Sequence, residues 1–126
     1  MTIKNDKPLG AYQPAHITLI GDSKMIHISG LTSGDKAPNN IAEQTEIIFE
    51  KMRALLEAEG GGLEHLVKIN AYIVDIREYP AYNAVRNRLF ATLEKPPASA
   101  TIGGAQLIRP GLVIEIDGVA IIGPQS

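Results

Sequence analysis

Glu115 stands mid-strand in "LVIEIDGVAII", between Ile114 and Ile116, in an otherwise strongly apolar stretch. A carboxylate there has two fates. On a solvated strand face it is a surface charge. Lining a pocket, it loses water, its pKa rises, and it becomes fit for general acid or base work. Asp117, two residues on, projects from the same side of an extended chain, about 6.5–7 Å away. His16, His27 and His65 have no metal-ligand spacing on a helix, so each reads as structural or surface and no metal site is expected. Ser29 in "HISGL" lacks the G-x-S-x-G elbow of a serine nucleophile. "GGLEHL" and "IGGAQL" lack the Lys and Ser/Thr of a phosphate loop. Asn83 reads as a polar helix-surface residue or as an amide anchoring a polar ligand. Tyr12, in the loop "GAYQPA", reads as a packing anchor. One further stretch stands out: in "KPPASATIGGAQL", Lys95 to Leu107, no charged residue follows the first. Small residues in a strand let another group approach the backbone closely.

The elements that must position these residues are legible from periodicity. "HITLIGDSKMIHISG" reads as two strands around a Gly21-Asp22 turn. On the second, Ile26 and Ile28 face one way, and Met25, His27 and Ser29 the other. "LTSGDKAPNN" is a polar loop. Asn40 is a helix N-cap, with Glu43 at capping-box spacing. Ile41, Ile48, Met52, Leu55 and Leu56 then fall on one helical face, and the triple glycine from Gly60 ends the helix. In "HLVKINAYIVDI", Val67, Ile69, Ala71 and Ile73 form one strand face, and Lys68, Asn70 and Tyr72 the other. Pro80 suits the first turn of a second helix. Its apolar stripe is Tyr82, Val85, Leu89 and Leu93, with Phe90 at the margin. Pro96 and Pro97 end that helix. The last strand points Ile114 and Ile116 one way and Glu115 and Asp117 the other. The order β-β-α-β-α-β-β predicts an α+β fold, with two helices covering one face of a sheet. The other face, carrying Lys68, Asn70, Tyr72, Glu115 and Asp117, is solvated or meets other copies of the chain.

The chain has 126 residues, which suits a single domain over 1–126. Fourteen acids against twelve bases leave a formal charge of −2, and the cations are scattered singly, unlike a nucleic-acid footprint. There is no cysteine, which excludes disulfides and thiolate nucleophiles. No apolar run has signal-peptide or membrane-span length, so the expectation is a cytoplasmic protein with no membrane partner.

"GAYQPA", "ISGLTS", "EQTEIIFEKMRALLEAEGG", "VKINAYIVDIREYPAYNAV", "KPPASA" and "RPGLVIEIDGVAI" occur in that order. Together they resemble the Rid family, also called YjgF or the reactive-intermediate deaminase family, over nearly the whole chain. The resemblance implies a chorismate-mutase-like α+β fold, with a mixed sheet and two helices packed on one face. It implies a homotrimer whose sheets form a central barrel, with ligands held in clefts between subunits. Better-known members hydrolyse imines and enamines to ketoacids and ammonia without a cofactor or metal. Residue by residue, the family's loop tyrosine matches Tyr12, its serine-glycine pair matches Ser29 and Gly30, and its helix asparagine matches Asn83. Its strand glutamate, which handles the water, matches Glu115. The family's substrate-gripping arginine belongs in a Pro-Ala-Arg-Ser run; here that run is Pro97, Ala98, Ser99, Ala100, so a hydroxyl stands where a guanidinium should. Ser99 and Thr101 would shape the pocket. Arg86, Arg88 and Arg109 are the arginines that could substitute, each otherwise a surface residue. The implied function is a small-molecule hydrolase, deaminase-like, acting on a ligand other than the usual 2-imino acids or one held differently. The alternative is a non-catalytic metabolite-binding or regulatory trimer. An endoribonuclease, a label some relatives carry, is opposed by the acidic charge balance.

Overall fold

The branched apolar runs on either side of Gly21 and Asp22 pair as an antiparallel hairpin, β1 (Ala15–Ile20) and β2 (Ser23–Leu31). Gly21, at φ +58°, supplies the left-handed conformation that the tight turn needs. The structure, a computed structural model, describes residues 13–124. β2 pairs antiparallel with β5 (Ile114–Ile122), and β5 pairs antiparallel with β3 (Leu66–Ile73). β4 (Ala98–Ile102) lies parallel to β3 at the sheet edge, giving the order β1-β2-β5-β3-β4. Parallel neighbours need a crossover. Helix α2 (Tyr79–Phe90) provides it, and α1 (Ile41–Ala58) connects β2 to β3.

Asn40 caps α1 by accepting a 3.0 Å hydrogen bond from the Glu43 N–H. Of the expected stripe, Ile41, Ile48, Met52 and Leu56 are buried and Leu55 is partly buried against the core, together with buried Phe49 and the polar Gln44 and Thr45. Gln44 is tolerated inside because its amide is fully used. Its Nε2 donates to the Ala37 and Gly111 carbonyls at 2.9 and 2.7 Å, and its Oε1 accepts from the Val113 N–H at 3.0 Å. One side chain thus ties the loop before α1 to the loop before β5. The core fills the space between the helices and one sheet face, where Ile26, Ile28, Ile69, Ala71, Ile73, Ile114 and Ile116 all point inward.

Two residues depart from the expected pattern. Val67 was expected on the core face with Ile69, but it is 44% exposed and Leu66 takes the inward position. The register against β5 slips between Leu66 and Lys68, and such a slip breaks the strict alternation of faces. Phe90, expected at the margin of its helix, is buried, with its ring edge-on to Phe49 at 5.2 Å. The outer sheet face carries the expected polar set. Asn70 stands opposite Asp117, and Tyr72 opposite Glu115.

Candidate functional site

The pairing of β2 with β5 is irregular between Ile28 and Leu31, and Gly30 lies in that break. Glu115 folds its side chain over it. A Cβ at position 30 would come within 2.2 Å of Glu115 Oε2 and 2.9 Å of its Cδ. Only glycine leaves that space free, so Gly30 is required by close approach rather than by an unusual backbone angle.

Glu115 is half-buried. Burial pushes its carboxyl above the ordinary glutamate range, and the neighbouring Asp117 charge adds to the rise. Asp117 is held in place by two donors, Asn70 Nδ2 at 2.9 Å and the Tyr72 hydroxyl at 3.1 Å. The Tyr72 phenol is itself raised, by burial first and then by its bond to Asp117 and the two nearby carboxylates. Tyr72 therefore remains a proton donor at neutral pH. These groups, with Gly30 and the segment from Ala105 to Ile108, line a cleft of about 360 Å³. The Ala105 N–H donates to the Ile73 carbonyl at 3.1 Å and fixes the start of that segment against the sheet. A carboxylate with a raised pKa, beside a fixed second carboxylate, can take a proton from water and return it.

The opposite sheet face carries a second cluster. Ser99 is in register with core-facing Ile69, and Thr101 with Ala71, so both point toward α2. Arg86 comes down from α2 to meet them. Its Nη1 donates to Ser99 Oγ at 2.9 Å and more weakly to the Tyr82 hydroxyl at 3.5 Å. Its Nη2 donates to the Tyr79 hydroxyl at 2.9 Å and to Asn83 Oδ1. The guanidinium carbon lies 5.0 Å from the centre of the Tyr82 ring, within cation–π range. Burial raises the Tyr82 phenol despite the opposing pull of Arg86. Arg86, Asn87, Ser99 and Thr101, with Tyr79, form the polar part of a cavity of about 660 Å³ between α2 and β4.

The sequence-predicted residues therefore fall into two groups within one chain. Gly30 and Glu115 share the outer-face cleft. Asn83, Ser99 and Thr101 belong to the α2 side. Ser29 is near the first group, but its hydroxyl donates to the Gln13 carbonyl at 2.7 Å rather than toward Glu115. Tyr12 lies outside the described residues. Among the three arginines, Arg88 pairs with Glu46 of α1, and Arg109 lies exposed in the loop before β5. Arg86 was expected at the surface; it is half-buried because it bonds Ser99 and packs on two tyrosine rings. The signal for this was present. Tyr79, Tyr82 and Asn83 precede Arg86 by seven, four and three residues, which is one helical stripe.

The profile of the endoribonuclease L-PSP family matches residues 3–122. A RutC family protein of Saccharolobus solfataricus is 34% identical over 124 residues, covering 94% of this chain and 93% of that protein. A Dermatophagoides farinae protein named 2-iminobutanoate/2-iminopropanoate deaminase is 28% identical over 122 residues, covering 92% and 89%. The crystal structure of RidA from an Antarctic Psychrobacter superposes with a TM-score of 0.75 at 28% identity, covering 97% of this chain and 99% of that one. With the mixed five-stranded sheet and its two helices, these matches establish that the chain belongs to the endoribonuclease L-PSP family, the group also known as YjgF or Rid.

Proposed function

We propose that this protein is a cofactor-independent hydrolase of small imines or enamines. The observation that carries the reading is Glu115, a partly desolvated carboxylate seated over Gly30 in a cleft beside Asp117 and Tyr72. Glu115 takes a proton from water as the water oxygen adds to the imine carbon. The same carboxyl hands that proton to the imine nitrogen, giving a neutral carbinolamine, and then carries the carbinolamine hydroxyl proton to the nitrogen as the C–N bond breaks, leaving a carbonyl and free ammonia. Imine and water are consumed; ketone and ammonia are formed. The deaminase name carried by a relative at 28% identity supports this class of reaction.

The division of the candidate residues over two sheet faces supports a complete site built between copies of the chain, as in a trimer. Gly30 and Glu115 would come from one subunit, and Asn83, Ser99 and Thr101 from its neighbour. Two carboxylates in the cleft also oppose an RNA-cleaving role, because they repel a phosphate backbone.

The test is ammonia release from freshly generated 2-iminobutanoate and 2-iminopropanoate, with mass measured by light scattering. Wild type is expected to be trimeric and to exceed the buffer rate, and Glu115→Gln to lose about a hundred-fold or more. A folded wild type that leaves both imines at the buffer rate would sink the proposal.

A further inference from the structure

Tyr72 and Glu115 stand directly opposite each other on β3 and β5, and both line the outer-face cleft. Residues paired this way on one sheet face have Cβ atoms about 4.5–5.5 Å apart. The Glu115 charge acts on the Tyr72 phenol. Among the described residues no group donates a hydrogen bond to the Glu115 carboxylate; burial and the Asp117 charge are what act on it. Asp117 differs, with a donor on each oxygen: Asn70 Nδ2 on Oδ1 at 2.9 Å and Tyr72 Oη on Oδ2 at 3.1 Å.

The bond from Tyr72 to Asp117 decides what the phenol offers the cleft. A hydroxyl has one hydrogen and two lone pairs. The hydrogen of Tyr72 is committed to Asp117, so its oxygen can only accept. Donating to a carboxylate makes that oxygen a stronger acceptor. The cleft therefore sets two neighbouring acceptors, a carboxylate and a phenol oxygen, against a wall whose only other polar side chain is Gln106. Their complement is a small group that gives two hydrogens from one atom. Water is that group, and hydrolysis needs it beside the carboxylate. A water held by Glu115 alone can turn about one hydrogen bond. A second acceptor fixes the direction of its lone pair.

We propose that Tyr72 is a second catalytic residue, holding the hydrolytic water jointly with Glu115, and that Asp117 is the positioning residue that turns its hydroxyl. One water hydrogen passes to Glu115 as the water oxygen adds to the imine carbon. The other, held by Tyr72 Oη, stays on that oxygen and becomes the carbinolamine hydroxyl. Tyr72 itself neither gains nor loses a proton. Asn70 completes the chain by holding the far oxygen of Asp117. This deepens the hydrolase reading and rests on it for the imine. The arrangement also predicts what Asp117→Asn does. Asn70 donates to Oδ1, so the new amide keeps its oxygen there and turns its nitrogen toward Tyr72. That nitrogen donates to the phenol oxygen and swings the phenol hydrogen into the cleft, where the water hydrogen should sit.

The assay is ammonia release from freshly generated 2-iminobutanoate by the full-length protein, with kcat and KM separated and kcat followed across the acid range. Tyr72→Phe keeps the ring and removes the acceptor. Its kcat should fall about ten- to a hundred-fold, with KM within about threefold of wild type. The acid limb of its kcat profile, set by Glu115, should stay in place, because burial and Asp117 still act on that carboxyl. Asp117→Asn should lose at least as much kcat as Tyr72→Phe. The double variant should lose no more than Asp117→Asn alone, since both changes remove one acceptor. Wild type at the buffer rate would sink the hydrolase reading and this proposal with it. An active wild type with full kcat in Tyr72→Phe overturns this proposal alone. So does a loss confined to KM, which puts Tyr72 on the substrate, or a shifted acid limb, which makes it a wall of the cleft. Additive losses in the double variant overturn the role given to Asp117. Should Tyr72→Phe fail to fold, Asp117→Asn keeps the hydroxyl and decides in its place, wild-type kcat there overturning the proposal.

Discussion

Gly30→Ala separates a catalytic role for the Glu115 position from a structural one. The new Cβ would lie 2.2 Å from Glu115 Oε2, and ordinary contact begins at 3.4 Å. The carboxylate must therefore withdraw by about 1.2 Å. A misplacement of about 1 Å in a reacting group can cost roughly a hundred-fold in rate, or about 2.7 kcal/mol of transition-state stabilisation. The fold absorbs the change more easily, because the displaced atoms are the end of a rotatable side chain. Position 30 is free of left-handed backbone strain, and replacing glycine reduces unfolded-chain entropy by about 0.4–1 kcal/mol. The variant should melt within a few degrees of wild type while ammonia release falls about a hundred-fold. The Glu115 carboxyl, followed by carbon NMR, should titrate closer to an ordinary glutamate, since withdrawal into water relieves the burial that raised it. Full turnover in a variant whose Glu115 titration has moved would refute the reasoning. So would an unfolded variant, which would make the clearance above Gly30 structural.

Three further predictions follow from the fold and its charges. Glu115 has a folded pKa above its unfolded value, so its charged form is disfavoured in the native state; the stability it contributes is full below the unfolded pKa and lost as pH rises through the folded one. Glu115→Gln should thus gain melting temperature relative to wild type at neutral pH and lose that advantage in acid; the opposite trend would show that Glu115 is not desolvated. Phe90→Ala should cost about 3–5 kcal/mol in urea unfolding, as expected for a buried ring, whereas a cost under 1 kcal/mol would return Phe90 to the helix margin. Gln44→Leu leaves the Val113 N–H unsatisfied, at about 1–3 kcal/mol, and takes one of two hydrogen bonds from each of the Ala37 and Gly111 carbonyls, which keep the Asn40 and Asn39 N–H groups. Faster amide exchange at Val113 would mark the loosened loop, and unchanged exchange would mean that water replaces the glutamine.

The sequence by itself determined the elements and most of the faces. Alternation placed Ile114 and Ile116 inward and Glu115 and Asp117 outward, and the structure agrees, because a strand's period of two leaves little freedom. The same holds for the Asn40 cap and the α1 stripe, whose signals are local. Val67 was misplaced because a register slip depends on the partner strand, which no local pattern encodes. No local pattern marks Gln44 as buried, since its burial depends on carbonyls and an N–H up to 69 residues away. The candidate residues could be named one by one, yet only the tertiary structure divided them between two faces of the sheet. It alone brought Arg86 onto Ser99: a helix and an edge strand become neighbours only once the β3–α2–β4 crossover has closed, and that closure is a property of packing.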